Sequence, residues 1–183
     1  VGTAGNKNTG VSSTNQFLHG SEAALWVNAG DLAVGLLQTV PDAEGTEVWI
    51  ESTARGMGNW FHQQWVLGEK GETDFLVVFV PWYWQPEYRK KAPEDFQMTE
   101  DELELQLSFV PFVDLAGKEH NELDNDQLFW RRRKVREMEA EGNDGLVRFK
   151  QEYPMTPTEA FQSSAGGGLI LPEWVMRARK AEV

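Results

Sequence analysis

Apolar residues in the first part of the chain come in short runs that break off into polar clusters. Phe17-Leu18-His19-Gly20 runs into Ser21-Glu22, and Val48-Trp49-Ile50 runs into Glu51-Ser52-Thr53. Both runs have the length and the β-branched or aromatic content of strands. Between them Leu32, Leu36, Leu37 and Val40 fall on one helical face, with Asp31 as the expected N-cap and Pro41 to Gly45 as the break. Strand, helix, strand in that order predicts a right-handed crossover with the two strands parallel in one sheet. Gly56 and Gly58 mark a turn into a helix carrying Trp60, Phe61, Gln64, Trp65 and Leu67, which Gly68 is expected to stop. Phe75 to Val80 is apolar at every position, which predicts a strand covered on both faces.

After Val80 the pattern changes. Pro81, Trp82-Tyr83-Trp84, Pro86, Tyr88 and Pro93 make an aromatic, proline-rich loop. Thr99 with Glu102 three residues on forms a capping-box signature for a helix through Leu103 and Leu107. A longer helix is expected from Asp124 to Ala140, with Leu128, Val135 and Met138 on one side and Gly142 to Gly145 as its end. Phe149 to Pro154 is read as extended and Thr158 to Phe161 as a short helical turn. Gly166-Gly167-Gly168 is read as a joint, and Pro172 to Lys180 as a last helix with proline at its start. Residues 1–15 read as loop, being rich in Gly, Ser, Thr and Asn. The expected organisation is α/β, with sheet material over residues 1–95 and mainly helix over 96–183.

Composition narrows the classes. A chain of 183 residues can bury a real core, and 40% apolar residues fit a globular protein. The net charge of −12 argues against a strong nucleic-acid grip by this stretch alone. Arg131 to Lys134 and Arg136 are interleaved with Glu137, Glu139 and Glu141, which suits a solvated helix face. With no cysteine, disulfides and thiolate metal sites are excluded, and the three histidines (His19, His62, His120) lack metal-binding spacing. No run approaches the ~20 apolar residues that cross a bilayer.

The candidate chemistry sits where the two polar clusters meet. In open parallel sheets, sites gather beyond the carboxyl ends of the strands. Glu22 and Ser52-Thr53 are therefore expected to face one crevice. Hydrolysis of a nucleoside triphosphate uses such a pair: a carboxylate to orient water and a hydroxyl-bearing loop to meet the terminal phosphate.

The stretch Thr14-Asn15-Gln16-Phe17-Leu18-His19-Gly20-Ser21-Glu22-Ala23-Ala24-Leu25-Trp26 resembles the second nucleotide-site motif of tailed-phage terminase large subunits. Glu51-Ser52-Thr53-Ala54-Arg55-Gly56 resembles their coupling motif. Phe79-Val80-Pro81-Trp82 with Tyr88, then Trp130-Arg131, Phe149 to Pro154 and Thr158 to Phe161, resemble the segments that follow in the same order. The resemblance implies a partial P-loop NTPase-type parallel sheet followed by a mainly helical linker region. It implies an ATPase motor that packages double-stranded viral DNA into a capsid, using ATP and Mg2+. Implied partners are the DNA, the portal protein, the small terminase subunit and other large-subunit copies in a ring. The implied setting is the host bacterial cytoplasm, with the gene carried by a phage or prophage.

By the same resemblance Glu22 polarises the attacking water, and Ser52 and Thr53 sense the phosphate. Arg55 either reaches a γ-phosphate or a neighbouring subunit, or lies on the surface. Ser21 stands where a magnesium-associated acid is expected. A neutral hydroxyl holds a metal-bound water less firmly than aspartate does, so either Mg2+ binding leans on other residues or the register differs. No G-x-x-x-x-G-K-[ST] motif occurs; Gly5 to Thr9 lacks the second glycine and the spacing. Nor is there an aspartate cluster of the nuclease kind. The chain therefore reads as the middle of such a subunit, lacking phosphate loop and nuclease, and by itself a poor binder of ATP. An alternative class is a carbohydrate-binding or glycoside-cleaving module, for which eight tryptophans and many carboxylates are the relevant features.

Overall fold

The computed structural model describes residues 14–141 and 144–162. Residues 1–13 of the loop expected over 1–15, the Gly5–Thr9 look-alike, the Gly166–Gly168 joint and the helix from Pro172 lie outside these residues. The chain divides into two compact units, 1–77 and 78–183. The division falls earlier than the boundary drawn at residues 95 and 96, because Trp82 and Tyr83 are buried in one core with Leu123 and Leu128.

The first unit holds β1 (Phe17–Gly20), α1 (Ala29–Leu37), β2 (Glu47–Ile50) and α2 (Trp60–Glu69). β1 and β2 pair in parallel, with Phe17 opposite Glu47 and Gly20 opposite Ile50. The expected parallel strand pair is present, and the fold is mixed α and β.

Both helices differ at one end from the sequence reading. α1 starts at Ala29 rather than after Asp31; Asn28, in the left-handed region at φ 52°, occupies the N-cap. Asp31 lies inside the first turn, where its carboxylate favours the positive end of the helix dipole. α2 does run from the expected turn: the Asn59 side chain accepts from the His62 amide at 2.9 Å. It continues through Gly68 to Glu69, however, and the left-handed residue beyond it is Gly71, at φ 68°. Gly68 answers a different need. A Cβ there would sit 2.8 Å from the Val77 side chain and 3.3 Å from the Phe75 carbonyl oxygen.

Phe75–Val80 corrects a second expectation. The segment pairs with no strand among the described residues. Its burial alternates instead of being two-sided, leaving Leu76, Val78 and Val80 at 88%, 61% and 57% exposure. An apolar run favours extended backbone, but it does not supply the neighbouring ladder that makes a buried strand.

The second unit holds α3 (Glu100–Leu107), a hairpin of β3 (Phe112–Val113) and β4 (Glu119–His120), then α4 (Asn125–Ala140), α5 (Gly145–Glu152) and α6 (Pro157–Ala160). The expected cap on α3 holds in geometry, and α4 carries a second one that the sequence reading did not single out. Thr99 and Glu102 form a reciprocal capping box on α3, and Asp124 with Gln127 forms another on α4. The core is aromatic: Trp82, Tyr83 and Phe149 are buried with Leu123, Leu128, Met138 and Met155. Trp82 stacks on Trp130 at 5.5 Å, and Trp130 on Tyr88 at 4.6 Å.

Three readings of this unit change. Phe149 to Glu152 is helical, not extended, because Asp144 caps α5 by accepting from the Val147 amide and Phe149 turns into the core. Gly145 opens α5 rather than closing α4; a Cβ on it would lie 2.4 Å from the Val135 carbonyl oxygen. The basic run on α4 is only partly a solvated face. Arg131 is buried at 8% exposure, its guanidinium 5.3 Å over the Phe149 ring, and burial pushes its pKa down. Arg132 holds the buried Glu102 with two bonds, Nε to Oε1 at 3.0 Å and Nη2 to Oε2 at 2.6 Å. Burial alone would push the Glu102 carboxyl up. The Arg132 bonds, the Thr99 amide and the Arg132 charge together hold it below the usual range. No helix among the described residues is long and apolar enough to cross a membrane.

Candidate functional site

The two polar clusters meet at one end of the parallel pair. Past Gly20 and Ile50 the ladder runs on by one bond, the Glu51 amide donating to the Gly20 carbonyl at 2.9 Å. The Ala23 amide then donates to the Glu51 carbonyl at 3.2 Å, so the end of β1 folds over the end of β2. Gly20 is required at this crossing: a Cβ would come within 2.6 Å of the Trp26 ring and 2.9 Å of Ile50.

Glu22 and Thr53 touch. The Thr53 hydroxyl donates to Glu22 Oε2 at 3.2 Å, across 31 residues of sequence. Glu22 reaches this position from a left-handed backbone, φ 54° and ψ 42°, a conformation that costs a non-glycine residue about 1–2 kcal/mol. Arg55 on the other tip is also left-handed, at φ 52°, followed by Gly56 at φ 81°. The loop is fixed by Asn59, whose side-chain amide donates to the carbonyls of Ala54 at 2.8 Å and Gly56 at 3.0 Å.

Ser52 and Thr53, paired in the sequence reading, have different places. The Ser52 hydroxyl accepts from the Ala24 amide at 3.1 Å and donates to the Thr53 carbonyl at 2.6 Å. Its one proton is committed inside the protein, so it fastens the two tips together. Thr53 carries the hydroxyl that faces the carboxylate. Ser21 is exposed, and its carbonyl accepts from the Trp26 indole at 2.9 Å. Arg55 is exposed on the loop that follows. His19 lies 3.6 Å from Glu51, each side chain about half exposed.

Next to the tips is an open cleft of about 390 Å³, bordered by Ala24, Trp26, Asn28, Asp31, Asn59 and Trp60. Trp26 and Trp60 stack at 5.8 Å and 14°. The sequence reading did not single out this cleft or its amides. The signal for it was the tryptophan following each polar cluster.

The pair combines an acceptor with a hydroxyl. A carboxylate able to take a hydrogen bond from water and a hydroxyl able to meet a phosphate oxygen stand side by side. The described residues hold no group of three or more His, Asp or Glu side chains that would bind a metal ion. Neither tip offers a glycine-rich run of backbone amides for α- and β-phosphates. Comparison with known protein families, with curated proteins and with solved structures finds no match to this chain.

Proposed function

We propose that residues 1–95 belong to the ATP-hydrolysing motor subunit that packages double-stranded viral DNA into a capsid. Residues 96–183 are then the helical region leading from that motor toward a nuclease. The observation that supports this reading is the Thr53–Glu22 hydrogen bond at neighbouring ends of parallel strands. In the mechanism it implies, the Glu22 carboxylate orients water for in-line attack on the γ-phosphorus and receives its proton, with ADP as leaving group. Thr53 meets the phosphate, whose oxygens compete with Glu22 for its hydroxyl. Ser52, bonded to both tips, passes a shift at Thr53 to the end of β1. On this reading ATP is used with Mg2+, and the subunit works with double-stranded DNA, the portal, the small subunit and other copies in a ring. The setting is the cytoplasm of a bacterial host.

The test is ATP turnover by the intact enzyme carrying Glu22→Gln. Glutamine keeps an oxygen for the Thr53 hydroxyl but gives up the base. Turnover is expected to fall by about 10²–10⁴ with nucleotide binding retained. Unchanged turnover removes Glu22 from catalysis and the reading with it.

A further inference from the structure

A second concave site lies wholly within the second unit and has no part in the reading above. Trp82 and Tyr83 are buried, and the next residue, Trp84, turns outward with 43% of its surface exposed. Two bonds fix the turn that presents it. Gln127 Nε2 donates to the Tyr83 carbonyl at 3.0 Å, and the Val110 amide donates to the Tyr83 hydroxyl at 3.4 Å. Opposite stands the β3–β4 hairpin. One Asp114 oxygen accepts from the amides of Ala116 and Lys118, both at 2.9 Å; the other lies 3.0 Å from His120 Nε2. His120, so held, stacks flat on Phe112 at 4.6 Å and 7°, and Phe112 lies 5.7 Å from Trp84.

These rings wall a cavity of about 830 Å³, within the roughly 300–1,000 Å³ range of small-molecule sites. Pro86, Val113 and Leu115 add apolar surface, while Arg89 and Lys118 stand on its border. The charges are unevenly matched. Asp114 is filled by its two amides and His120, and Arg89 is paired with Asp124. No carboxylate pairs with Lys118 among the described residues. The site thus combines flat aromatic walls, packed on one another with His120 held by Asp114, with one uncompensated ammonium.

We propose that this cavity binds a planar aromatic ligand carrying a single anionic group. The ring lies against Trp84 and Phe112, and the anion meets Lys118, with the remaining N–H donors of Arg89 in support. The site stands whether or not the first unit hydrolyses ATP.

The experiment titrates the protein with indole-3-acetate, indole and acetate in turn, following indole and amide NMR signals. Indole-3-acetate is expected to give saturable one-to-one shifts at Trp84, Phe112 and His120. Trp84→Ala, at an exposed position, is expected to weaken it about tenfold, the loss of one aromatic contact. Lys118→Ala is expected to weaken indole-3-acetate about threefold and leave indole unchanged. Absence of saturable shifts, or shifts indifferent to Trp84→Ala, overturns the site. Indole binding as tightly as indole-3-acetate overturns the anionic assignment and points to a neutral aromatic side chain of a partner protein.

Discussion

The two units are stabilised in different ways. In the first, the buried apolar residues described are Ala23, Leu32, Ala33 and Ala54, none larger than leucine. In the second, Trp82, Tyr83 and Phe149 are buried together, and the Glu102 carboxylate is buried against the partly exposed Arg132. Backbone strain divides the other way. The left-handed non-glycine residues described, Glu22, Asn28 and Arg55, all belong to the first unit. Two of them sit on the tips that carry the candidate chemistry. Backbone strain of this kind clusters at functional sites, and it motivates the tests at the tips. The second unit places polar groups in capping boxes and in the Glu102–Arg132 pair, where they fix the fold.

Truncation of core residues gives the largest expected contrast. Phe149→Ala should cost about 3–5 kcal/mol in denaturant unfolding followed by tryptophan fluorescence, whereas Leu32→Ala should cost about 2–3 kcal/mol. Equal losses would erase the distinction between the cores. Glu102→Ala comes next, at about 1–2 kcal/mol near neutral pH, since it removes a buried partner of Arg132 and opens the α3 capping box.

The same carboxylate gives the second unit its pH dependence. Glu102 has a folded pKa below its unfolded value of about 4.3, so its stabilisation is complete above that value. It is lost as pH falls from there through the lower folded pKa. Melting temperatures between pH 6 and 3 should therefore drop more steeply in the parent than in Glu102→Gln. Parallel curves would show that the pair contributes nothing to acid sensitivity.

Effects of similar or smaller size are expected at the tips. Gly20→Ala forces a methyl against Trp26 and Ile50 and should cost about 1–3 kcal/mol, visible as a shifted unfolding midpoint. Glu22→Gly should change stability by less than about 1 kcal/mol. Relief of the left-handed strain offsets the lost Thr53 bond and the added freedom of glycine. A large loss of stability there would make Glu22 a structural residue and end the contrast.

Features set by local sequence were legible. β2 follows the Val48-Trp49-Ile50 pattern, and the Thr99–Glu102 capping box follows its spacing, because a side chain three residues from its partner needs no tertiary context. The meeting of Glu22 with Thr53 was legible from strand order, since parallel strands joined by one helix end on the same edge. What escaped was set by partners distant in sequence. Phe75–Val80 carries strand composition without a ladder, and Arg131 is buried because Phe149 lies beneath it. The β3–β4 hairpin is too short for a period-two pattern, although Asp114 and Gly117 mark its turn. Ser52 and Thr53 are chemically alike in sequence, and only the Ala24 amide separates their roles.

The central claim is that the ends of β1 and β2 act as one catalytic unit. A double-mutant cycle on kcat for ATP hydrolysis by the intact enzyme, using Glu22→Gln, Thr53→Val and the pair, tests it most directly. The account predicts strong non-additivity, with Thr53→Val costing little once Glu22 is gone and a coupling above about 0.5 kcal/mol. Independent, additive losses, or no loss from either substitution, would contradict it.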